Sequence, residues 1–434
     1  MMKYIIWGAG ERGKRIFPHI GEKNVDAFID IDSKKVGKEL FGKRIISINE
    51  YKKKYYNDWI IISYSYEDEV IDILSQNDLY HFFRMSDCPG EFQESNPRDV
   101  LKNYVIGLLN SEEQFIIYGC TLYSFMLNEW IKETTCKYVP VIAHLGTNND
   151  YISDLRNAYK GQFIYEIDEI EAENYDKILL TVEDSITDNQ FGLPKSRMID
   201  VYDCSDRIAE YYNPKIEQFK DIHKDQRCFI VATGPSLRME DLDVLKENTE
   251  ICISMNSIWN AFQMTQWRPT YYVADDYRIM RDYEKDLDEI EAEILFLGDT
   301  NGDYWSRKHA DNIIKHHFNY EYREKVLPKF SKDFSRQCYM GATVTYSCMQ
   351  LAVYMGFREI YLLGVDFSCA GERNMKYTHF FEEKTLSSVG FPDAILLAYQ
   401  AAKRYAEEHN IKIYNATRGG KLEIFERVDF DNLF

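Results

Sequence analysis

No stretch of this 434-residue chain holds the roughly 18–20 consecutive apolar residues of a membrane span, so a membrane-spanning protein is not expected. Paired cysteines are missing too. The nine are scattered, odd in number and form no CxxC, which excludes a disulfide framework or zinc ribbon and suits reduced thiols in the cytoplasm. Positive charge is scarce: 52 Lys and Arg against 71 Asp and Glu leave a net −19. Such a chain repels nucleic-acid phosphates, and no nucleic-acid partner is expected. A local basic pocket for a small phosphorylated ligand is compatible with that balance. The first apolar run, in MMKYIIWGAGERG, is too short for the core of a signal peptide and leads directly into a turn. A cytoplasmic location follows as the expectation, with peripheral association with membrane-bound acceptors and self-association left open.

Aromatic residues, at 15%, are abundant, which provides apolar and hydrogen-bonding surface for clefts or interfaces. The length exceeds one ordinary core and suggests about three domains. KYIIWGAGERGKRIFPHI reads as strand, glycine turn and helix, VDAFIDID as a second strand and DWIIISYS as a later buried one. The pattern then returns. QFIIYGCTLYSFMLNEWI puts Gly119 where Gly8 stood, and NYDKILLTVED echoes YNDWIIISYSYED. This reads as an internal duplication, residues 1–100 and 101–205, followed after a polar bridge by a third α/β region over 206–434. In that region EICISMNSIW, PTYYVADDY, AEILFLGD, EIYLLGVDF and IKIYNA read as strands. TVTYSCMQLAVYMGF and PDAILLAYQAAKRYAEEHN have helical periodicity, the second opening on Pro392 and Asp393. The expected fold class is α/β: Rossmann-like tandem units, then an α/β domain with a mainly parallel sheet. In such sheets ligands collect at the carboxyl ends of the strands.

Those ends carry the candidate residues. Gly8, Gly10 and Gly13 follow a strand and open a helix, with Asp30 about twenty residues on. This is the setting of a dinucleotide fingerprint, in which the backbone approaches a pyrophosphate and the acid holds a ribose. The alternative is a tight turn without ligand. In the second copy, GCTLYS, the later glycines are gone. Gly234, Pro235 and Ser236 end another strand: glycine permits close approach, proline fixes the turn, and serine either caps a helix from about Leu237 or, with free amides, holds a phosphate. Asn256, Asp275 with Asp276, and Asp366 end further strands, and His379 follows soon after. Polar groups gathered at strand ends are costly unless they face a solvated cleft. Asp275 and Asp276 suit either Mg²⁺ beside phosphates or hydrogen bonding to loop amides, Arg278 or Arg281. Arg418, before Gly419-Gly420, suits either a phosphate or carboxylate partner or a structural turn.

The segments VATGPSL, SMN, GATVTYSCMQLAVYMGFREIYLLGVDF, THF and IYNATRGGKLEIF, in this order, resemble the MptE-like family, named for a 6-hydroxymethylpterin pyrophosphokinase. The same superfamily includes motility-associated flagellin glycosyltransferases and resembles bacterial CMP-sialic acid-dependent sialyltransferases. WGAGERG, FIDID and GKRIISINEY resemble a small Rossmann-like domain of surface-polysaccharide proteins. The first resemblance implies a nucleotide-activated, CMP-type sugar donor held by Gly234, Pro235, Ser236 and Asn256. It also implies donors near Thr343 and His379 as the base that takes a proton from a glycan, lipid-linked or protein hydroxyl. Such a transfer inverts the sugar carbon and requires no cofactor. Mg²⁺ belongs to the alternative, a diphosphokinase acting on a pterin-like alcohol, and a third alternative is a non-catalytic nucleotide-sugar sensor. The chain contains no GxxxxGK[ST] loop, so phosphate binding in the diphosphokinase would fall to the Gly234 turn.

Overall fold

The computed structural model describes residues 3–64, 67–88, 95–144, 149–159, 163–182, 195–205, 207–275, 290–299, 311–319, 327–368, 379–381 and 392–434. They form two compact units, Met1–Ile208 and Ala209–Phe434.

The first unit contains two sheets. Strands β1 (Tyr4–Trp7), β2 (Val25–Ile29), β3 (Glu39–Leu40), β4 (Lys43–Ile46), β5 (Trp59–Ile62) and β6 (Phe82–Arg84) run in the order β3-β4-β2-β1-β5-β6. All pairs are parallel except β3 with β4. Strands β7 (Phe115–Tyr118), β8 (Val141–Ile142), β9 (Ile164–Tyr165), β10 (Lys177–Leu180) and β11 (Met198–Asp200) make the second, wholly parallel sheet, ordered β11-β10-β7-β8-β9. Matching β1 with β7, β2 with β8, β4 with β9, β5 with β10 and β6 with β11 gives one shared order, read from either edge.

The match extends to atoms. Gly8 (φ 112°) and Gly119 (φ 120°) occupy the same left-handed turn after the first strand of each sheet. Ser63 Oγ donates to the carbonyls of Trp7 and Gly8, as Thr181 Oγ1 does to those of Tyr118 and Gly119. β1 and β5 are buried along their whole length, the condition under which a strand reads as a continuous apolar run. Aromatic side chains join the repeats: Trp59 and Phe83 of the first sheet meet Tyr151 and Phe125 beside the second.

The second unit is built on eight strands: β12 (Arg227–Val231), β13 (Cys252–Met255), β14 (Tyr271–Ala274), β15 (Ile294–Gly298), β16 (Ile313–His316), β19 (Glu359–Leu363), β20 (Lys412–Asn415) and β21 (Glu426–Arg427). The short β17 (Phe318–Asn319) and β18 (Cys338–Tyr339) pair separately. The main sheet is ordered β16-β15-β14-β13-β12-β19-β20-β21 with every pair parallel. The expected mainly parallel sheet is therefore present. β12 leads on to β13 on one side and pairs with β19 on the other, which makes the β12–β19 seam the topological switch point. Tyr272, Ala274, Leu295, Leu297, Phe229 and Val231 belong to one core cluster together with Leu242 and Leu245 of the Met239–Glu247 helix. The Val344–Tyr354 helix precedes β19 and meets β12, β13 and β14. Because it returns the chain to the start of a parallel strand, its N-terminus lies at the carboxyl edge of the sheet. Among the described residues, no helix is long and apolar enough to cross a membrane.

Candidate active site

The β12–β19 seam explains the glycine at the end of β12. A Cβ on Gly234 would lie 2.1 Å from Asp366 Oδ2 and 2.3 Å from the Gly364 carbonyl oxygen. Gly234 N–H donates to that same carbonyl at 2.9 Å. Its neighbour Ser236 donates to Asp366 Oδ2 through both Oγ–H (2.8 Å) and N–H (3.2 Å). Ser236 therefore does not cap a helix. The helix starts later, at Met239, with Arg238 before it and no side-chain cap. The sequence expectation of a capping serine beside free amides is corrected: the turn is closed onto a carboxylate 130 residues away.

Asp366 is only 8% exposed. Burial raises its pKa above the ordinary carboxylate value, although the Ser236 hydroxyl and N–H oppose the shift. A carboxyl with a raised folded pKa binds its proton more tightly when folded. The stability it contributes is present below the unfolded pKa and is lost as pH rises through the folded one. Asp366→Asn retains an oxygen that accepts from Ser236 and does not titrate. Urea unfolding across pH is expected to show the variant gaining on the wild type from about pH 4 upward until Asp366 is ionised. A pH-independent difference would contradict the shift.

His379 lies beside the same turn. Its Nδ1 is 2.9 Å from Thr233 Oγ1 and 3.3 Å from the Thr233 carbonyl oxygen, and Phe380 N–H donates to that carbonyl at 3.0 Å. The carbonyl contact suits a hydrogen on Nδ1, since a carbonyl only accepts, and the Thr233 hydroxyl fits either tautomer. Phe381 stacks on the ring at 5.1 Å between centroids. Thr233, which the sequence reading passed over, is thus the residue that fixes the imidazole.

Asn256 follows β13, the strand next to β12. It sits in the left-handed region (φ 45°), which asparagine tolerates better than most residues. Tyr272 OH donates to its carbonyl at 2.9 Å, while its buried Oδ1 has no hydrogen-bond partner among the described residues. Thr343 stands before the Val344–Tyr354 helix with no side-chain cap bond, after Ala342 at φ 55°. Thr345 Oγ1 contacts Met255 Sδ at 3.5 Å, which ties the helix's first turn to the end of β13.

Asp275 has a different partner from the one its sequence context suggested. Gly298 of β15 lies opposite His316 of β16, and Asp275 follows β14 on the other side of β15. His316 Nε2 lies 2.8 Å from Asp275 Oδ1, with the two side chains 0% and 3% exposed. The angle is not that of a directed hydrogen bond, so the contact is a close approach of the two side chains. Beside it His317 Nδ1 meets Asp299 Oδ2 at 2.8 Å and its ring stacks on Tyr211. Asp275 is thus beside an imidazole, neither of its buried oxygens has a directed hydrogen bond among the described residues, and Asp276 lies outside the described residues. Among the described residues no three His, Cys, Asp or Glu side chains converge as a metal centre requires. Imidazole is also a poor companion for a magnesium ligand, so the residues present do not fit Mg²⁺. His316 was missed in sequence because IIKHHFN is a short run whose acidic partner comes from two strands away.

Arg418 also meets internal partners. It donates through Nε and Nη2 to the buried Asp241, and through Nη1 and Nη2 to Asp431. It thereby clasps the Met239–Glu247 helix to the C-terminal turn, an arrangement that suits the structural alternative of the two readings.

In the first unit Gly13 lets its helix approach the turn: a Cβ there would lie 1.9 Å from the Gly8 carbonyl oxygen. Gly10 precedes the Glu11–Ile20 helix and supplies no cap. Asp30 accepts from Ala9 N–H (3.0 Å), Asp32 N–H (2.9 Å) and Lys35 Nζ (2.8 Å).

Residues 204–372 match the 6-hydroxymethylpterin diphosphokinase MptE-like family. Gly234, Ser236, Asn256, Thr343 and Asp366 lie inside this MptE-like region, and His379 lies just beyond it. Residues 1–78 match a second family, described as C2185-like, N-terminal. No curated protein matches the chain. Two solved structures are distantly similar in fold. One is the MAf glycosyltransferase from Magnetospirillum magneticum AMB-1, at 16% identity over 77% of this chain and 62% of that one, TM-score 0.36. The chain therefore spans less than two thirds of the MAf protein's length. The other is the sialyltransferase CST-II in complex with CMP, at 15% identity over 46% of this chain and 84% of that one, TM-score 0.31.

Proposed function

We propose that the MptE-like region and the segment after it form a glycosyltransferase. It moves a sugar, a nonulosonic acid in this reading, from a CMP-activated donor to a glycan, lipid-linked or protein hydroxyl. The observation that carries the reading is the pairing at the switch point of an imidazole positioned by Thr233, that of His379, with the Gly234–Ser236 turn locked to Asp366. Asn256, with its unpartnered buried oxygen, suits recognition of a donor N–H or O–H on the nucleoside. The N-terminus of the Val344–Tyr354 helix, with Thr343 before it, suits the charge that develops on the leaving phosphate. His379 Nε2 takes the acceptor hydroxyl proton as its oxygen attacks the sugar carbon. The bond to the phosphate breaks from the opposite face, which inverts that carbon. No step requires a metal supplied by these residues.

The second reading is transfer of a diphosphate from ATP to a pterin-like alcohol, and the description of the matching family favours it. Calorimetric titration of the whole chain separates the two, since a ligand that binds only the folded protein also raises its stability. CMP binding without metal, weakened in Asn256→Ala, is expected. ATP binding that requires Mg²⁺, with no response to CMP, would replace the first reading by the second.

A further inference from the structure

The first repeat contains a cleft of about 430 Å³, within the size range of small-molecule sites. Its wall includes Gly8, Gly10, Arg12, Asp30 and Lys35, and Ile31 and Ile73 add apolar surface. The second repeat shows what the same turn looks like when the chain fills it. There Thr121 stands in place of Gly10 and Ser124 in place of Gly13. Thr121 Oγ1 accepts from Ser124 N–H at 3.2 Å. Ser124 Oγ accepts from Thr121 N–H at 2.9 Å and donates to the Gly119 carbonyl at 2.6 Å. Cys120 N–H is taken by His144 Nδ1 at 3.3 Å, as the equivalent Ala9 N–H is taken by Asp30 in the first repeat. In the first repeat Gly10 contributes no such cap, and a Cβ added to it would meet nothing within 4 Å. One copy has its turn occupied by its own side chains, and the other keeps the equivalent volume open at the rim of a cleft.

We infer that this cleft binds a nucleotide whose diphosphate is esterified at both ends, as in a nucleotide sugar or a dinucleotide. The diphosphate would lie over the Gly8–Gly10 turn and the start of the Glu11–Ile20 helix, where backbone dipoles favour it. Asp30, anchored by Ala9, Asp32 and Lys35, would accept from ribose hydroxyls and repel a phosphate on the ribose. The wall's charges select among diphosphates. Glu11, Asp30, Asp32 and Glu69 outnumber Arg12 and Lys35, so a free nucleoside diphosphate, which has one more ionisable phosphate oxygen, is disfavoured. This inference is independent of the reaction proposed for the MptE-like region.

The test is isothermal titration of the full-length protein with NAD⁺, UDP-glucose, ADP, UDP and NADP⁺. Either NAD⁺ or UDP-glucose is expected to bind, and its free diphosphate counterpart to bind about tenfold more weakly. If NAD⁺ is the ligand, NADP⁺ is weakened by a similar factor. Gly10→Thr, which copies Thr121, is expected to reduce that binding by about tenfold or more while leaving the melting temperature nearly unchanged, because the added Cβ enters open space and threonine and glycine are about equal as helix caps. CMP affinity, a property of the other unit, should not move. Lys35→Ala should weaken the same ligand without unfolding the chain. Failure of both NAD⁺ and UDP-glucose to bind, or undiminished binding by a folded Gly10→Thr protein, overturns the inference.

Discussion

Replacing Gly234 by alanine is expected to destabilise the C-terminal unit by about 3 kcal/mol or more, or to abolish soluble expression, by the overpacking route. The cause is steric. Gly234 is not among the residues with positive φ, so alanine could adopt its backbone conformation. The added methyl, however, would overlap Asp366 Oδ2 at 2.1 Å and the Gly364 carbonyl at 2.3 Å. One of these atoms is backbone, and the other is fixed by two bonds from Ser236. Gly364 cannot retreat easily. It is itself at φ 67°, and a Cβ on it would lie 2.6 Å from the Ala232 carbonyl oxygen. Gly10→Ala is the matched control, since its Cβ enters open space, and it should leave the melting temperature nearly unchanged. Differential scanning calorimetry of both variants decides the matter. A Gly234→Ala protein as stable as its control would mean that the seam between β12 and β19 is looser than described.

This seam also shows what could and could not be read in the chain. The strands themselves were legible, because a parallel sheet buries both faces and writes its strands as apolar runs such as YIIW and CFIV. The repeat was legible for a similar reason. A left-handed turn after the first strand selects glycine, so Gly8 and Gly119 mark the same point twice. What was not legible is which atom meets which across the sheet. Gly234 suggested a close approach, and the atom that makes it is a carboxylate oxygen of Asp366, brought by a strand far along the chain. Adjacent acids at 275 and 276 suited either a metal or loop partners, and the approach of His316 to Asp275 is set by the order β14-β15-β16, which local sequence does not encode. Arg418 suggested an anion, and its anions are Asp241 and Asp431. In each case the residue type announced a charged or close contact correctly, and the partner came from long-range topology.

The remaining large effect concerns His379. His379→Ala is expected to lower the turnover of transfer by about 10²–10⁴-fold, the usual worth of general-base assistance, while leaving CMP affinity within a few fold of wild type. The separation follows from the geometry. Ser236 is held by Asp366, not by the imidazole, so removing the ring leaves the donor turn in place. Thr233→Val is the informative companion. It deletes the hydroxyl 2.9 Å from Nδ1 but keeps the carbonyl at 3.3 Å, so the ring is less firmly held and turnover should fall by a smaller factor. If His379 is the base, the acidic limb of the pH–rate profile should vanish in His379→Ala and persist in Thr233→Val, and imidazole added to the alanine variant should restore part of the rate. Transfer at the wild-type rate by His379→Ala, with a donor and acceptor that saturate the enzyme, would remove the imidazole from the chemistry. The Ser236–Asp366 turn would then remain as a binding element only.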